Sequence, residues 1–480
     1  MAKGYLGLTI ELHHPSPRPG RAPGRDWGLA AATTYWPILR AFVNLADQGA
    51  AEVATVAVSA SWLALASDPV ARSSARAELD RLATKTGDSR GDQADELCDY
   101  WDSLRQFVVD RHGDDPLDAL RRAGESGAIE IVPTTSSYTW IPTFATDRLT
   151  AKALVAPAVA EHERILGLPA DGLWLPHQAY LPDFDRLIAE SNCRYFGVDS
   201  HAFRRGTVRP PVDLLGPLIT SCGVAAFGID PEPTRALVHP QAGYAQDLRY
   251  LNIASGSIAV GEHADRFVDS WIAHAERSAA GRSFDQPPFS LVTIAARDLG
   301  ENWTLGGDFL EAVLKRFSRF NPDGWIATTP GRYLDRFPRG PLGRPGPSAG
   351  GGLSIHPGGG DIADRCHEAA LILEIAIANL AVDDRRARMI VAEMTRSLLA
   401  ATALDWNTAP HAKIEPREGL QRSQEHLDRF AELAAKLASG RLDQASTVQV
   451  DPHGDYLASL DPAALLDPLD RAFAKGRFIN

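Results

Sequence analysis

The chain has 480 residues, with 49 lysine or arginine and 61 aspartate or glutamate residues, which gives a formal net charge of −12. This length exceeds what one hydrophobic core usually serves, so we expect two or three structural units. The acidic balance argues against nucleic acid or an anionic membrane surface as a partner, because both require concentrated positive charge. A neutral, hydroxyl-rich ligand is compatible with this balance.

The N-terminus and the cysteines predict a cytoplasmic protein. Residues 1–14 enter a strand-like apolar run directly and lack the cleavage site of a secretory signal. No apolar run reaches the length of about 18 residues that predicts a membrane-spanning helix. The widely spaced Cys98, Cys193, Cys222 and Cys366 fit neither a disulfide framework nor a zinc ribbon, so we expect reduced thiols.

Strand-length apolar runs alternate with amphipathic segments through the first two-thirds of the chain. The predicted strands are 5–12, 51–63, 127–134, 194–198, 224–228, 289–295 and 323–328. The predicted helices include 27–49, 68–85, 92–111, 115–124 and 146–166. This alternation predicts a parallel sheet with right-handed crossovers. The carboxyl ends of its strands should share one face, where ligand chemistry is expected.

The composition changes near residue 338. Residues 338–360 are rich in glycine and proline, which sustain neither a helix nor a strand ladder, so we predict a linker or loop. The segments that follow, 361–382, 384–404, 416–440 and 460–475, have the spacing of amphipathic helices. The predicted organisation is an α/β domain over 1–337, the linker over 338–360 and a helical-bundle domain over 361–480.

Several segments, in order, resemble the motifs of glycoside hydrolase family 57, and in particular those of its α-1,4-glucan branching enzymes. These segments are ELHHP (11–15), GAIEIVPTTSSYTWIP (127–142), DGLWLPHQAY (171–180), RYFGVDSH (194–201), FGIDPE (227–232), GYAQD (243–247), TIAARDLGENWTLGGDFL (293–310) and RSLLAATALDW (396–406). The resemblance covers nearly the whole chain. It implies a distorted, TIM-like (β/α)7 barrel with a C-terminal α-helical domain. It also implies a role in glycogen metabolism, with an α-glucan as ligand and no cofactor or metal.

The resemblance further implies that both catalytic carboxylates are replaced. The family's nucleophile is a glutamate of the third motif and its acid/base is an aspartate of the fourth, and these positions fall on His177 and Ala295. Retaining glycoside transfer needs two carboxyl groups about 5–5.5 Å apart. Alanine has no proton to give, and losing acid–base help alone costs about 10²–10⁴ in rate. We therefore expect a pseudoenzyme that binds α-glucan or a related oligosaccharide and regulates or scaffolds an active glucan-processing enzyme.

Three alternatives stay open. The first is an active glycoside hydrolase or glucanotransferase that draws its carboxylates from Glu11, Asp298 or Glu301. The second is a protein-interaction module that no longer binds sugar. The third is a metal site, since strand ends could bring suitable ligand types together, although the resemblance implies no metal. Its candidate ligands are Glu11, His13, His14, His177, Asp199 and His201.

Sugars bind to aromatic faces and to planar polar groups that meet pairs of hydroxyls. The aromatic candidates in the motifs are Tyr138, Trp140, Trp303 and Trp406, whereas Trp174 is expected to be structural because it lies inside a strand run. The polar candidates are His13, Asp199, His201, Asp230 and Asp405. We predict that these side chains line the glucan site.

Overall fold

The structure is a computed structural model. It describes residues 2–15, 25–87, 92–208, 212–300, 303–318, 324–348, 359–381, 383–403, 416–440, 456–467, 470–471 and 474.

Parallel strands form a nearly closed seven-stranded barrel, in the order β3-β2-β1-β8-β7-β5-β4. A parallel bridge between Thr134 and Trp174 joins the two ends of this order, and the Trp174 amide donates to the Pro133 carbonyl at 2.8 Å. Two further strands attach to the barrel, β6 antiparallel to β7 and β9 parallel to the first residues of β1. The strands are β1 (Gly4–Leu12), β2 (Ala54–Val58), β3 (Ile129–Pro133), β4 (Gly172–Leu173), β5 (Tyr195–Asp199), β6 (Pro217–Ile219), β7 (Ala225–Ile229), β8 (Phe289–Ala295) and β9 (Trp325–Ala327). The predicted (β/α)7 barrel with additional helices is confirmed.

Helices connect the strands and cover the barrel. They are α1 (Arg25–Ala30), α2 (Trp36–Asp47), α3 (Ala60–Ser67), α4 (Pro69–Gly87), α5 (Asp92–Gln106), α6 (Pro116–Glu125), α7 (Ile141–Phe144), α8 (Arg148–Leu166), α9 (Phe184–Glu190), α10 (Ser200–Arg204), α11 (Arg235–Val238), α12 (Ile253–Ala279), α13 (Gly306–Phe317), α14 (Pro330–Arg336), α15 (Gly359–Ala378), α16 (Arg385–Ala401) and α17 (Pro416–Ser439). A π-helical turn at Ala31–Tyr35 joins α1 to α2, so the predicted helix 27–49 is one nearly continuous element. No helix among the described residues combines the length and the apolar character needed to cross a membrane.

Two predicted elements are wrong in their extent. The run 51–63 is not one strand, because β2 ends at Val58 and α3 begins at Ala60, where Ser59 accepts a hydrogen bond from the Trp62 amide as the helix N-cap. A continuous apolar run cannot distinguish a buried strand from a buried helix by periodicity. The predicted helix 460–475 contains a short 3-10 helix, Pro462–Leu465, within the described part of that segment.

The strands are buried on both faces, as expected of a barrel covered by helices. All nine residues of β1 are buried. Inside the barrel the Trp174 ring lies against the backbone of Gly197 on β5, where a Cβ atom would come within 2.7 Å of the ring. Glycine is therefore required at position 197 for this tryptophan to fill the interior.

The C-terminal helices pack against the barrel and share one hydrophobic core with it. One apolar cluster contains Leu154 of α8 and Phe196 of β5 together with Leu399 of α16 and Phe430 of α17. Residues 338–348 have no helix, and their backbone bonds to β6 at Ile219. The remainder of the predicted linker, 349–358, lies outside the described residues. The three-part domain division stays a prediction.

Candidate functional site

The carboxyl ends of the barrel strands form one rim, and several of the predicted site residues lie on it. Glu11 lies near the end of β1, and Ala295 ends β8 as its direct register neighbour. His177 lies in a 3-10 turn just after β4. Asp199 ends β5, and Asp230 follows β7. The parallel order of the strands therefore brings these residues to the same end of the barrel.

Glu11 is the centre of a hydrogen-bond network on this rim. Its Oε2 accepts a bond of 2.6 Å from the hydroxyl of Tyr138, which follows β3. Its Oε1 accepts bonds from three side chains, Thr293 on β8 at 3.0 Å, Trp174 at 3.0 Å and Gln178 at 2.7 Å. The residue is buried. The three donors on Oε1 and the one on Oε2 thus engage both oxygens of the carboxylate.

His177 is held in an uncommon backbone conformation. Its φ is 52° and its ψ is 18°, and the next residue, Gln178, also has a positive φ of 53°. Two successive non-glycine residues in the left-handed region carry a conformational cost, and such residues often occur at functional sites. The imidazole is half-buried against Tyr138, with ring centroids 5.0 Å apart and nearly perpendicular planes.

Tyr138 also contacts the second rim histidine. The His13 ring stacks on the Tyr138 ring with centroids 3.9 Å apart and planes 10° from parallel. Both histidine rings therefore contact one tyrosine whose hydroxyl is fixed by Glu11. The two half-buried histidine rings and the amide of Gln178 form the polar and aromatic surface of the rim, and the Tyr138 ring is buried between them.

The two described carboxylates proposed to replace the catalytic pair differ in burial, since Glu11 is buried and Asp298 is exposed. Asp298 lies in the 3-10 helix Ala296–Leu299 after β8, and its side chain is exposed to solvent. Glu301 lies outside the described residues. Ala295, half-buried beside Glu11, carries no ionisable group. Glu11 is thus the candidate carboxylate that the structure brings to the rim interior.

The aromatic candidates divide by burial. Trp303 is 2% exposed and packs on Tyr250 and Phe309 with ring centroids 5.2 Å and 5.0 Å away, so it is a core residue with little surface for a sugar. Trp140 is 8% exposed and belongs to the core cluster of the C-terminal helices. Trp174 is fully buried, which confirms its structural assignment. Trp406 and Asp405 lie outside the described residues.

Two of the polar candidates are engaged in local structure. Asp199 caps α10 by accepting from the amides of His201 and Ala202, and its other oxygen accepts a 2.6 Å bond from Ser348. The side chain of His201 is exposed. Asp230 is buried and bonds His274 Nε2 at 2.8 Å. Among the described residues, no group of three or more His, Cys, Asp and Glu side chains could hold a metal ion.

Sequence reasoning missed Gln178 and Thr293, both of which bind Glu11. The signal for Thr293 was its spacing of two residues from Ala295, because alternate residues of a strand face the same side. No comparable signal existed for Gln178, since its contact depends on the left-handed turn at His177 and Gln178.

A second acidic cluster lies at the opposite end of the barrel. Glu130 of β3 accepts from Thr55 at 3.2 Å, and one of its oxygens approaches Gly331 together with an oxygen of Asp171. Arg194 binds Asp171 and also Asp335, at 2.9 Å. Burial, together with the negative charge of Asp171, raises the pKa of Glu130 to about 7. This end lies away from the rim and was not predicted as a site.

Comparisons with known proteins relate the chain and its fold to one group of enzymes. No family model matches the chain. A 1,4-alpha-glucan branching enzyme of Thermococcus kodakarensis is 24% identical over 235 residues, which is 42% of this chain and 34% of that protein. The match thus spans about a third of the curated relative.

Solved structures extend the likeness to the whole fold. An alpha-amylase from Thermotoga maritima superposes with a TM-score of 0.85 at 19% identity, over 96% of this chain and 99% of that one. A GH57-type branching enzyme from Pyrococcus horikoshii superposes with a TM-score of 0.84 at 18% identity, over 97% of both chains. The chain has the fold of these enzymes. Together with the sequence match, these neighbours support a likeness to the family 57 branching enzymes.

Proposed function

We propose that this protein is a non-catalytic family 57 homologue that binds α-glucan at the rim of its barrel. The observation that carries the proposal is Ala295. By the motif resemblance this residue falls at the family's acid/base position. It lies beside Glu11 on the neighbouring strand, and its methyl side chain has no group that could protonate a leaving oxygen. His177, at the nucleophile position, cannot supply the carboxylate of a double displacement.

Glu11 does not compensate for these losses. A carboxylate that attacks the anomeric carbon must present a free oxygen, and both oxygens of Glu11 accept hydrogen bonds from fixed side chains. Asp298 is exposed. These contacts favour a structural role for Glu11 and disfavour an active hydrolase with relocated residues.

The rim retains features suited to sugar binding. His13 and His177 present half-buried rings that the buried ring of Tyr138 holds in place, and Gln178 supplies a planar amide beside them. Similar enzymes include a branching enzyme of Thermococcus kodakarensis whose structure was solved in complex with glucose. We expect the ligand to be an α-glucan or oligosaccharide, and we expect a cytoplasmic role beside an active glucan-processing enzyme.

Two measurements on the purified protein test the proposal. Isothermal titration calorimetry with maltoheptaose and affinity electrophoresis in glycogen should both show binding, and this binding should weaken in His177→Ala. Incubation with amylose, glycogen and maltooligosaccharides should give no new reducing ends and no new branch points. The absence of binding to every glucan would contradict the proposal.

The runner-up function, an active glycoside hydrolase or glucanotransferase, predicts turnover in the same assays. That turnover should disappear in Glu11→Gln, Asp298→Asn or Glu301→Gln, whichever residue carries it. If the wild-type protein still forms product after repeated purification, the result would favour an active enzyme over the binding proposal.

A further inference from the structure

Arg297 lies on the rim next to the proposed glucan site. It follows Ala295 by two residues, just as His13 follows Glu11 by two residues, and Glu11 and Ala295 are register neighbours on β1 and β8. Arg297 and His13 therefore both lie just beyond the paired ends of these adjacent strands, Arg297 in the 3-10 helix Ala296–Leu299. The side chain of Arg297 is half-buried.

The guanidinium of Arg297 has no protein acceptor in the described part of the chain. Its Nε atom is buried and makes no hydrogen bond. No carboxylate among the described residues forms an ion pair with it. A buried N–H without a partner is costly, and an unpaired charge at a partly desolvated position is more so. Most half-buried arginines elsewhere in this chain are paired, as Arg40 is with Asp308.

The rim carboxylates are committed to other groups. Glu11 is occupied by four donors, Asp199 caps α10 and binds Ser348, and Asp230 bonds His274. None of these three carboxylates neutralises Arg297. Asp298, the exposed carboxylate next to it in sequence, forms no ion pair with it either, so among the described residues Arg297 has no carboxylate partner on the rim that carries His13 and His177.

We propose that the rim binds an α-glucan oligosaccharide that carries an anionic group, a phosphate or a carboxylate, and that Arg297 binds the oxygens of this group. The proposal rests on the proposed glucan-binding function and names its ligand class more narrowly. A guanidinium presents parallel N–H donors that match two oxygens of either group. The sugar rings would then lie against the half-buried rings of His13 and His177.

The test compares three ligands of equal length by isothermal titration calorimetry at low ionic strength. These ligands are maltotriose, its 6-phosphate ester and its aldonic acid. We expect at least one anionic ligand to bind about 10- to 100-fold more tightly than maltotriose, as hydrogen bonds to a charged group allow. The tighter of the two anionic ligands identifies phosphate or carboxylate as the natural group. High salt should reduce the difference, because the rim is open to solvent.

Two variants and a control attribute the preference to one side chain. Arg297→Gln should remove the preference for the anionic ligand over maltotriose, whereas Arg297→Lys should retain part of it. Arg186→Gln, which removes an exposed arginine of α9 that is paired with Glu190, should have no effect. Unchanged thermal unfolding temperatures establish that the variants fold.

The outcomes separate this inference from the proposed function. Equal affinity for all three ligands would contradict the proposal that the ligand carries an anionic group. It would leave the proposed glucan binding supported. Absence of binding by all three ligands and by maltoheptaose would overturn both. A preference that persists unchanged in Arg297→Gln would overturn the assignment to this residue.

Discussion

At the scale of single residues, the structure gives Glu11 a structural role in the rim. A carboxylate in a barrel mouth is often a candidate for catalysis, but this one accepts hydrogen bonds from Tyr138, Trp174, Gln178 and Thr293. These donors come from β8 and from the segments after β3 and β4. Glu11 therefore joins neighbouring parts of the barrel at the end where a ligand would bind.

Glu11→Gln is expected to destabilise the protein. An amide can accept at one oxygen only, so at least one of the four donors loses its acceptor, at a cost of about 1–3 kcal/mol. Urea unfolding at neutral pH measures this change. Asp298→Asn, an exposed carboxylate on the same rim, serves as the control and should alter the free energy of unfolding by less than about 0.5 kcal/mol. Equal stability of Glu11→Gln and wild type would contradict the structural role.

Glu130 gives a second prediction at this scale. Its pKa is raised to about 7 by burial and by Asp171, so between about pH 4.5 and pH 7 the folded state binds more protons than the unfolded state. The stability that protonated Glu130 contributes to the folded state is therefore lost as pH rises through 7. Glu130→Gln, which resembles the protonated acid, should raise the thermal unfolding temperature at pH 8 more than at pH 5. A variant that is equally destabilised at both values would refute this explanation.

Among the elements, the strands with long apolar runs could be predicted and the short ones could not. β1, β3 and β8 are strand-length stretches of buried aliphatic residues, and each follows or precedes a recognisable motif. β4 has only two residues and β6 only three, so neither has enough residues for an alternating or continuous pattern. The boundary between β2 and α3 was missed because both elements are buried and apolar throughout.

Contacts between residues far apart in sequence limit what could be predicted of the site. Motif positions identified His177, Ala295 and Tyr138 as neighbours of a ligand. They could not reveal that Trp303 packs into the core, nor that Gln178 turns toward Glu11. Both facts depend on contacts between residues that are far apart in sequence. The resemblance therefore predicted the composition of the rim better than its hydrogen bonding.

α8 contains a titratable group that should make stability depend on pH. His162 is fully buried on this helix, neither ring nitrogen has a hydrogen-bond partner, and burial lowers its pKa to about 4. Between about pH 6.5 and pH 4 the unfolded chain binds the proton more readily, so stability is lost as pH falls through this range. The full difference amounts to about 3 kcal/mol.

His162→Leu should remove this acid sensitivity. Its free energy of unfolding should change less between pH 7 and pH 5 than that of the wild type, as measured by urea unfolding at each pH. His201→Leu, a change at an exposed histidine, should leave the pH dependence as it is. The same slope for His162→Leu and wild type would show that other groups govern acid stability.

At the scale of the whole molecule, a buried carboxylate attaches the C-terminal segment to the barrel helices. Glu161 of α8 accepts hydrogen bonds from the Ser459 amide at 3.2 Å and hydroxyl at 2.8 Å, and it also pairs with Arg164 at 2.7 Å. The residue has no exposed surface. Because Ser459 is distant in sequence, this contact joins the C-terminal segment to α8.

Glu161→Gln should loosen this attachment. The amide cannot satisfy both the arginine and the backbone donors, so we expect a loss of about 2–4 kcal/mol and faster proteolysis within 456–467. Limited proteolysis followed by mass spectrometry locates the cuts. Glu163→Gln, at an exposed position of the same helix, should be cleaved at the wild-type rate.

The closure of the barrel between β3 and β4 bears on how its chemistry could change. β4 has two residues, and its junction with β3 is the bridge between Thr134 and Trp174. His177 follows this strand, so the position that the resemblance assigns to the nucleophile lies beside a junction with few ladder bonds. Replacing a side chain there disturbs little of the sheet. A single substitution at this junction can therefore change activity while the fold is kept. Enzymes with this fold can diverge in function at such a position.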